Sequence, residues 1–388
     1  MKRSCAVVVV TAMLFAFCVV PAQAGESVKT AVGAPAVDAP AVLLMEKETG
    51  TILYEENAHQ KREPASVTKI MTLLLVMEAI DSGKLSYEDM VTVSAHAASM
   101  GGSQVYLKEY EKMSVRDMLK AVAVVSANDG SVALAEHLAG SEEAFVARMN
   151  ARAAQLGMTD TCFVNCTGLP AAGHLTSAHD IALMSRELIL NHPDLRQFTT
   201  IWMDTIRDGA FQLSNTNKLV RFYEGATGLK TGSTDAARFC LSATAERGGM
   251  ELIAVVLGAE TSDKRFETAK SLLNFGFANY TLMDVRPGQA LPPVDVLMGV
   301  KETVQPVLER SSRILVEKSA LDKVTTELNL AADVEAPVEA GQKLGVMVVR
   351  VDGVERVEIP IVAGCAVERL TIGGVFTRFL ELLFLKKR

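Results

Sequence analysis

The sequence predicts an α+β fold: an antiparallel sheet with a helical cluster, followed by a small all-β domain and a C-terminal amphipathic helix. Three observations carry this reading. β-forming runs near residues 42–54 and 226–257 enclose a long stretch of helical periodicity. Beyond Tyr280, Pro287, Pro292 and Pro293 interrupt the chain and valine-rich runs take over. The last residues, 373–388, are apolar at helical spacing and end in three cations.

At the N-terminus, Lys2 and Arg3 precede an apolar run over residues 6–20 and then Ala22-Gln23-Ala24, the small-residue form of an export-signal cleavage site. The run is short for a bilayer span, which needs about 20 residues. Residues 1–24 are therefore expected to leave the mature chain, and the protein to be exported. That removes two of 39 basic residues and none of 46 acidic ones, leaving a net charge of −9, which argues against a nucleic-acid partner. The remaining chain is longer than one hydrophobic core usually serves. Domains are expected at residues 25–283 and 284–370, with residues 371–388 as the terminal helix. Cys162, Cys166, Cys240 and Cys365 remain after cleavage. Export permits disulfides without requiring them, each cysteine also reads as a small buried hydrophobe, and no pairing is assigned.

In chain order, residues 42–45 and 52–54 flank Glu48-Thr49-Gly50 and read as a hairpin. From Ala65, the spacing of Ile70, Leu73, Leu74, Met77 and Ile80 predicts a helix closed by Gly83. Ser114 with Asp117 resembles a capping box and opens a second helix through Met118, Leu119, Val122 and Val125, ending near Ser126. Helical patterns resume over residues 132–137, 142–156 and 178–190. Residues 226–231, 239–245 and 252–257 predict a three-stranded meander with Gly232, Gly248 and Gly249 in its connections, completing one sheet with the first hairpin. A helix after Thr261, carrying Ala269, Leu272, Leu273 and Phe275, closes the unit. Residues 313–330 and 343–361 read as short strands of the all-β domain. The terminal segment is too short and too charged to span a bilayer. It is expected to lie in a membrane interface with its basic end on anionic headgroups; packing on the protein itself is the alternative.

Chemistry concentrates in three places. Ser66-Val67-Thr68-Lys69 opens the first predicted helix, and residues three apart share a face there. A lysine desolvated under apolar rows can stay neutral and take the proton of a serine attacking a carbonyl carbon, while helix N–H groups stabilise the oxyanion. Alone, such a tetrad is weak. Ser126-Ala127-Asn128 falls in a break between helices, where a hydroxyl can relay a proton and a carboxamide can hold an amide, although helix capping accounts for it too. Lys230-Thr231-Gly232, placed at a strand end, offers a cation and a hydroxyl to a carboxylate, with glycine allowing close approach. In this order and placement the three form the signature of penicillin-recognising serine enzymes.

The chain resembles the D-alanyl-D-alanine carboxypeptidase family of low-molecular-mass penicillin-binding proteins over nearly all of the mature sequence. Pro64 to Thr72, Ser126-Ala127-Asn128-Asp129, residues 156–165 with Thr167-Gly168-Leu169, His174, Thr176, Asp180 and Lys230-Thr231-Gly232 follow the family in order. The resemblance implies a β-lactamase/transpeptidase-like domain in which Ser66 is acylated, Lys69 is the general base and Ser126 moves a proton. It further implies that Asn128 positions the peptide, Lys230 and Thr231 bind the terminal carboxylate, Gly232 opens the strand edge, and backbone N–H groups of Ser66 and Ser233 form the oxyanion hole. Arg265 matches a family arginine near the carboxylate site; a solvated helix residue is the competing reading. No metal or organic cofactor is implied. The implied partners are peptidoglycan stem peptides ending in D-Ala-D-Ala, β-lactam antibiotics and the outer face of the cytoplasmic membrane. Two positions depart from the pattern: Cys166 stands where proline is expected and Arg238 where glycine is expected.

Three rival readings remain. A β-lactamase would use an element such as Glu187 to Asn191, but that element needs a loop and here follows a helical pattern. A zinc carboxypeptidase could draw on His174, His179 and Asp180, whose spacing is wrong for a convergent set. A non-catalytic peptidoglycan-binding scaffold would have no use for the full serine, lysine and asparagine set.

Overall fold

The computed structural model describes residues 33–287, 290–309 and 313–385. The expected export signal lies outside these residues, as do the three terminal cations. Five strands form the central sheet: β1 (Ala41–Glu46), β2 (Ile52–Glu56), β3 (Ala226–Thr234), β4 (Arg238–Arg247) and β5 (Met250–Ala259). Their order is β2-β1-β5-β4-β3, antiparallel throughout, so the N-terminal hairpin and the late meander do complete one sheet.

Strand alternation explains why β1 and β5 read as unbroken apolar runs. Leu43, Met45, Ile253 and Val255 face one core, while Val42, Leu44, Leu252 and Ala254 face the other, as expected of strands covered on both sides. The first core is built with helices α1 (Lys69–Asp81), α2 (Val115–Val124), α3 (Asn128–Ala139), α4 (Glu142–Gln155) and α5 (Ala178–Asn191). The second is closed by α6 (Ser262–Asn279) through Ala269, Leu272 and Leu273. The cap expected at Ser114 is present, its Oγ accepting the Asp117 N–H, and the structure adds one at Thr261, whose Oγ1 accepts the Lys264 N–H.

Two expectations need correction. Gly232 is not in a connection, and the Lys-Thr-Gly triplet does not end its strand; β3 continues to Thr234, and the turn is made by Asp235, Ala236 and Ala237. Pairing of Gly232 with Cys240 and of Ser233 with Phe239 keeps the strand going.

After α6 the chain enters a small all-β region. Strand Tyr280–Asp284 pairs with Arg313–Glu317, and a four-stranded sheet joins Pro306–Leu308, Val354–Ala363, Lys343–Val351 and Val324–Leu330. A three-stranded sheet of Thr303–Val304, Val294–Leu297 and Asp333–Glu335 completes it. Arg313 Nη1 to Glu48 Oε1 at 2.8 Å and Lys318 Nζ to the Phe277 carbonyl at 2.7 Å tie this region to the first. The last helix, α7 (Ile372–Leu385), leaves Ile372, Phe376, Phe379 and Leu383 exposed. No described helix is long and apolar enough to cross a membrane.

Candidate active site

Ser66 lies in one 3-10 turn, Ala65–Thr68, that runs directly into α1. Residues three apart eclipse in such a turn, and Lys69 Nζ stands 3.0 Å from Ser66 Oγ. The turn is supported from behind. Ala65 holds a left-handed backbone, φ +48°, and its carbonyl accepts the Thr68 hydroxyl at 2.9 Å. Thr68 Oγ1 meets His174 Nε2 at 2.8 Å, while His174 Nδ1 accepts the Val164 N–H at 3.0 Å. That bond places the ring proton on Nε2, and burial lowers the imidazole pKa to about 4, so the ring is neutral. Gly168, φ +83°, is required because a Cβ there would stand 1.8 Å from the Ala65 carbonyl oxygen.

Lys69 is fully buried. Its Nζ also contacts Asn128 Oδ1 at 2.6 Å and the Thr167 carbonyl at 2.7 Å. Burial lowers the amine to about 7, against the opposing pull of Cys166 and Asp129. Three acceptors suit an ammonium with three protons. When one proton leaves, neither carbonyl oxygen can donate back, whereas Ser66 Oγ can. The neutral amine therefore keeps its two N–H groups on Asn128 and Thr167 and turns its lone pair to the Ser66 hydroxyl.

Ser126, φ +65° and buried, sits between α2 and α3, and its hydroxyl has no protein partner among the described residues. Asn128 begins α3; its Nδ2 donates to the Gly101 carbonyl and its backbone N–H to the Ser103 carbonyl, both at 2.7 Å. Asp129, fully buried, accepts the N–H groups of Val105, Leu107 and Gly130 at 3.1, 3.0 and 2.9 Å.

On β3, Lys230 is buried with Nζ 2.8 Å from the Thr231 carbonyl. Burial, with the nearby Lys69 and Arg265 cations, holds its pKa well below the ordinary lysine value. The Thr231 and Thr216 hydroxyls are hydrogen-bonded to each other at 2.7 Å. Gly232 brings the strand against the serine turn: a Cβ there would be 2.8 Å from the Ser66 nitrogen. Ser233 is exposed beside it. Arg265, on α6, is not a solvated helix residue. It is 5% exposed, bonds the Gly232 and Cys240 carbonyls at 3.3 and 3.2 Å, and lies over Phe266 and Phe239. Burial lowers its pKa to about 10.

One of the two departures has a local reason, and nothing in the structure explains the arginine at the other. The Cys166 N–H donates to Glu142 Oε1 at 3.0 Å, a bond proline could not make, and burial pushes the thiol well above its ordinary pKa. Arg238 holds φ +57°, a conformation that glycine would adopt without strain. The four cysteines of the described chain are free thiols, with Cys166 and Cys240 buried.

The rival elements are employed elsewhere. Glu187 and Asn191 lie within α5, and Glu187 pairs with Arg152 at 2.5 Å. Both His174 nitrogens are engaged by the protein, and the His179 ring packs on His59 at 4.4 Å. Sequence reasoning gave no role to Asp129, the Thr167 carbonyl, Thr216 or Glu142, although Asp129 and Thr167 stood within the segments that carried the resemblance.

A family model described as D-alanyl-D-alanine carboxypeptidase matches residues 28–261, and one described as the C-terminal domain of penicillin-binding protein 5 matches residues 285–369. The chain is 42% identical over 331 residues to D-alanyl-D-alanine carboxypeptidase DacF of Bacillus subtilis, covering 84% of this chain and 85% of that relative. Penicillin-binding protein 5 of Haemophilus influenzae superposes with a TM-score of 0.77 at 31% identity, covering 87% of this chain and 100% of that one. Penicillin-binding protein D2 of Listeria monocytogenes, in its ampicillin-bound form, superposes with a TM-score of 0.57 at 36% identity, covering 62% of this chain and 98% of that one. These likenesses run through the sheet, the helical cluster and all three motif segments, and the chain belongs to the D-alanyl-D-alanine carboxypeptidase family of penicillin-binding proteins.

Proposed function

We propose that this serine carboxypeptidase removes the terminal D-alanine from peptidoglycan pentapeptide stems through an acyl-enzyme on Ser66. The observation that carries the reading is the Lys69 amine, buried, held near a pKa of 7 and with Ser66 as its single partner able to donate. Lys69 takes the hydroxyl proton as Oγ adds to the carbonyl carbon of the penultimate D-alanine. The oxyanion is held by the backbone N–H groups of Ser66 and Ser233. As the C–N bond breaks, the Ser126 hydroxyl passes its proton to the departing D-alanine amine and takes up in exchange the proton that Lys69 gained from Ser66, so that Lys69 is again the free base. Water then attacks the ester, again with Lys69 as base, and frees the shortened stem.

Lys230 and Thr231 receive the terminal carboxylate. Burial first, and then the neighbouring Lys69 and Arg265, disfavour the charge on Lys230, and an incoming carboxylate would offset this, which supports this role for Lys230. Asn128 orients the peptide amide, Gly232 lets the stem lie close to the strand, and Arg265 stiffens that strand through the Gly232 carbonyl. A β-lactam follows the same first step, but its ring nitrogen stays tethered and obstructs the water. Export through residues 1–24 and the domain limits 25–283, 284–370 and 371–388 belong to the same reading. So does peripheral attachment by α7, whose Phe376 and Phe379 are exposed and whose Arg378 donates to the carbonyl of Gly299, which lies in the chain between the exposed Met298 and Val300.

D-alanine release from a peptide ending in D-Ala-D-Ala, measured for the mature protein and for Ser66→Ala with and without chelator, tests the function. Chelator-insensitive release that vanishes in the variant supports it. No release from folded protein turns the reading to a scaffold.

A further inference from the structure

Residues 101–111 form a loop that serves the reaction centre with its first half only. Gly101 and Ser103 receive Asn128, as described. The second half turns outward and presents Tyr106 and Tyr110, 65% and 76% exposed, with φ of +56° and +65°. Tyrosine keeps such a backbone where its surroundings fix it. Asp129 holds the N–H groups on either side of Tyr106. Arg207, from the tip of the hairpin Met203–Ile206 and Phe211–Ser214, donates to the Val105 and Tyr106 carbonyls at 2.8 and 3.3 Å and pairs with Glu111 at 2.7 Å. Phe211 meets the Tyr106 ring edge-on at 6.2 Å. The frame is rigid, yet the aromatic faces it displays remain in water. Between loop and hairpin is an open cavity of about 580 Å³ lined by Tyr106, Lys108, Glu109, Tyr110, Glu111 and Arg207.

We infer that this rim binds a sugar of the glycan strand to which the stem peptide is attached. The inference rests on the peptidoglycan reading of the site and assigns the other end of the same substrate. A pyranose has an apolar C–H face and hydroxyl edges, which suits aromatic faces flanked by an exposed amine and carboxylate, here Lys108 and Glu109. The cavity falls within the range of about 300–1,000 Å³ typical of small-ligand sites. Reach agrees as well. Four stem residues separate the scissile bond from the sugar, about 13 Å when extended, and five residues of loop, at most about 17 Å, separate Gly101 at Asn128 from Tyr106. The rim is also continuous with the site, since Asn128 and Asp129 are adjacent residues that hold successive parts of one loop.

The test compares kcat/KM for D-alanine release from a free pentapeptide and from the same pentapeptide carrying its disaccharide. Wild type should favour the glycopeptide by about tenfold, largely through KM. The preference should vanish in Tyr106→Ala/Tyr110→Ala and persist in Tyr106→Phe/Tyr110→Phe. Equal kcat/KM in wild type, or a preference that survives the alanine pair, overturns the inference while leaving the carboxypeptidase reading intact. Release from neither substrate overturns both. Penicillin labelling of the alanine pair separates sugar binding from folding: labelling that falls in step with glycopeptide turnover would mean that the tyrosines act through the fold, and the inference fails.

Discussion

Alanine at Gly232 would add a methyl group where none fits. Its Cβ would stand 2.8 Å from the Ser66 nitrogen, 2.9 Å from the Val67 nitrogen and 3.0 Å from the Pro64 oxygen. Comfortable contact begins at about 3.5 Å, so strand β3 and the serine turn must part by about 0.7 Å. All three neighbours are backbone, and no side chain can swing aside. Overpacking of this kind costs about 1–3 kcal/mol, which is a shift of a few degrees in Tm for a domain of this size. Catalysis should suffer more, because the proposed oxyanion donors sit one on each separated piece. A displacement approaching 1 Å costs about 100-fold in rate. The second-order rate of acylation by a labelled penicillin should therefore fall about 100-fold in Gly232→Ala, beside a modest loss of Tm. Acylation at the wild-type rate with unchanged Tm would refute the rigid contact between strand and turn.

Acylation should rise with pH along a limb near 7, because the ammonium form of Lys69 dominates below its lowered pKa and the free base above it. Lys69→Arg, which stays charged, should remove the limb and lower acylation by about 1,000-fold; a wild-type limb near pH 10 would exclude Lys69 as the base. Asp129→Ala strips three N–H groups of their acceptor and should destabilise the chain by about 3 kcal/mol, read as a lower urea midpoint. Arg238→Gly relieves the left-handed backbone and should add about 1 kcal/mol, seen as a higher Tm. Deletion of residues 372–388 should abolish co-sedimentation with anionic vesicles and preserve D-alanine release, and vesicle binding that persists would exclude α7 as the anchor.

Much of the first region was legible in the sequence because its signals are local. Helical periodicity located α1, α2 and α5, and the Ser114 cap is a side chain acting three residues away. The spacing of Ser66 and Lys69 anticipated their contact even though the turn proved to be 3-10 rather than α. The rest depends on atoms that carry no letter or on tertiary encounters. Lys69 is held partly by the Thr167 carbonyl, and a backbone oxygen gives no sequence signal. Arg265 is buried because aromatic rings from β4 and α6 meet over it. Gly232 looked like a strand terminus because glycine weakens strands; here it stays within one because the serine turn presses against it. The strands Val294–Leu297 and Thr303–Val304 are too short to show a period.

The sheet order has a consequence for solubility. An open sheet has two edges, and each is a template for adding strands from other molecules. At one edge, β2 ends in the exposed carboxylates Glu55 and Glu56, whose charge opposes stacking of a second copy. At the other, β3 is buried from Gly228 to Gly232 and reaches solvent at Ser233 and Thr234. The short helices Arg196–Thr199 and Leu219–Phe222 and the serine turn pack along it. The strand proposed to receive the substrate is thus buried over its middle and exposed at Ser233. The packed middle of β3 and the carboxylates of β2 each oppose the pairing of a foreign strand, the one by cover and the other by charge.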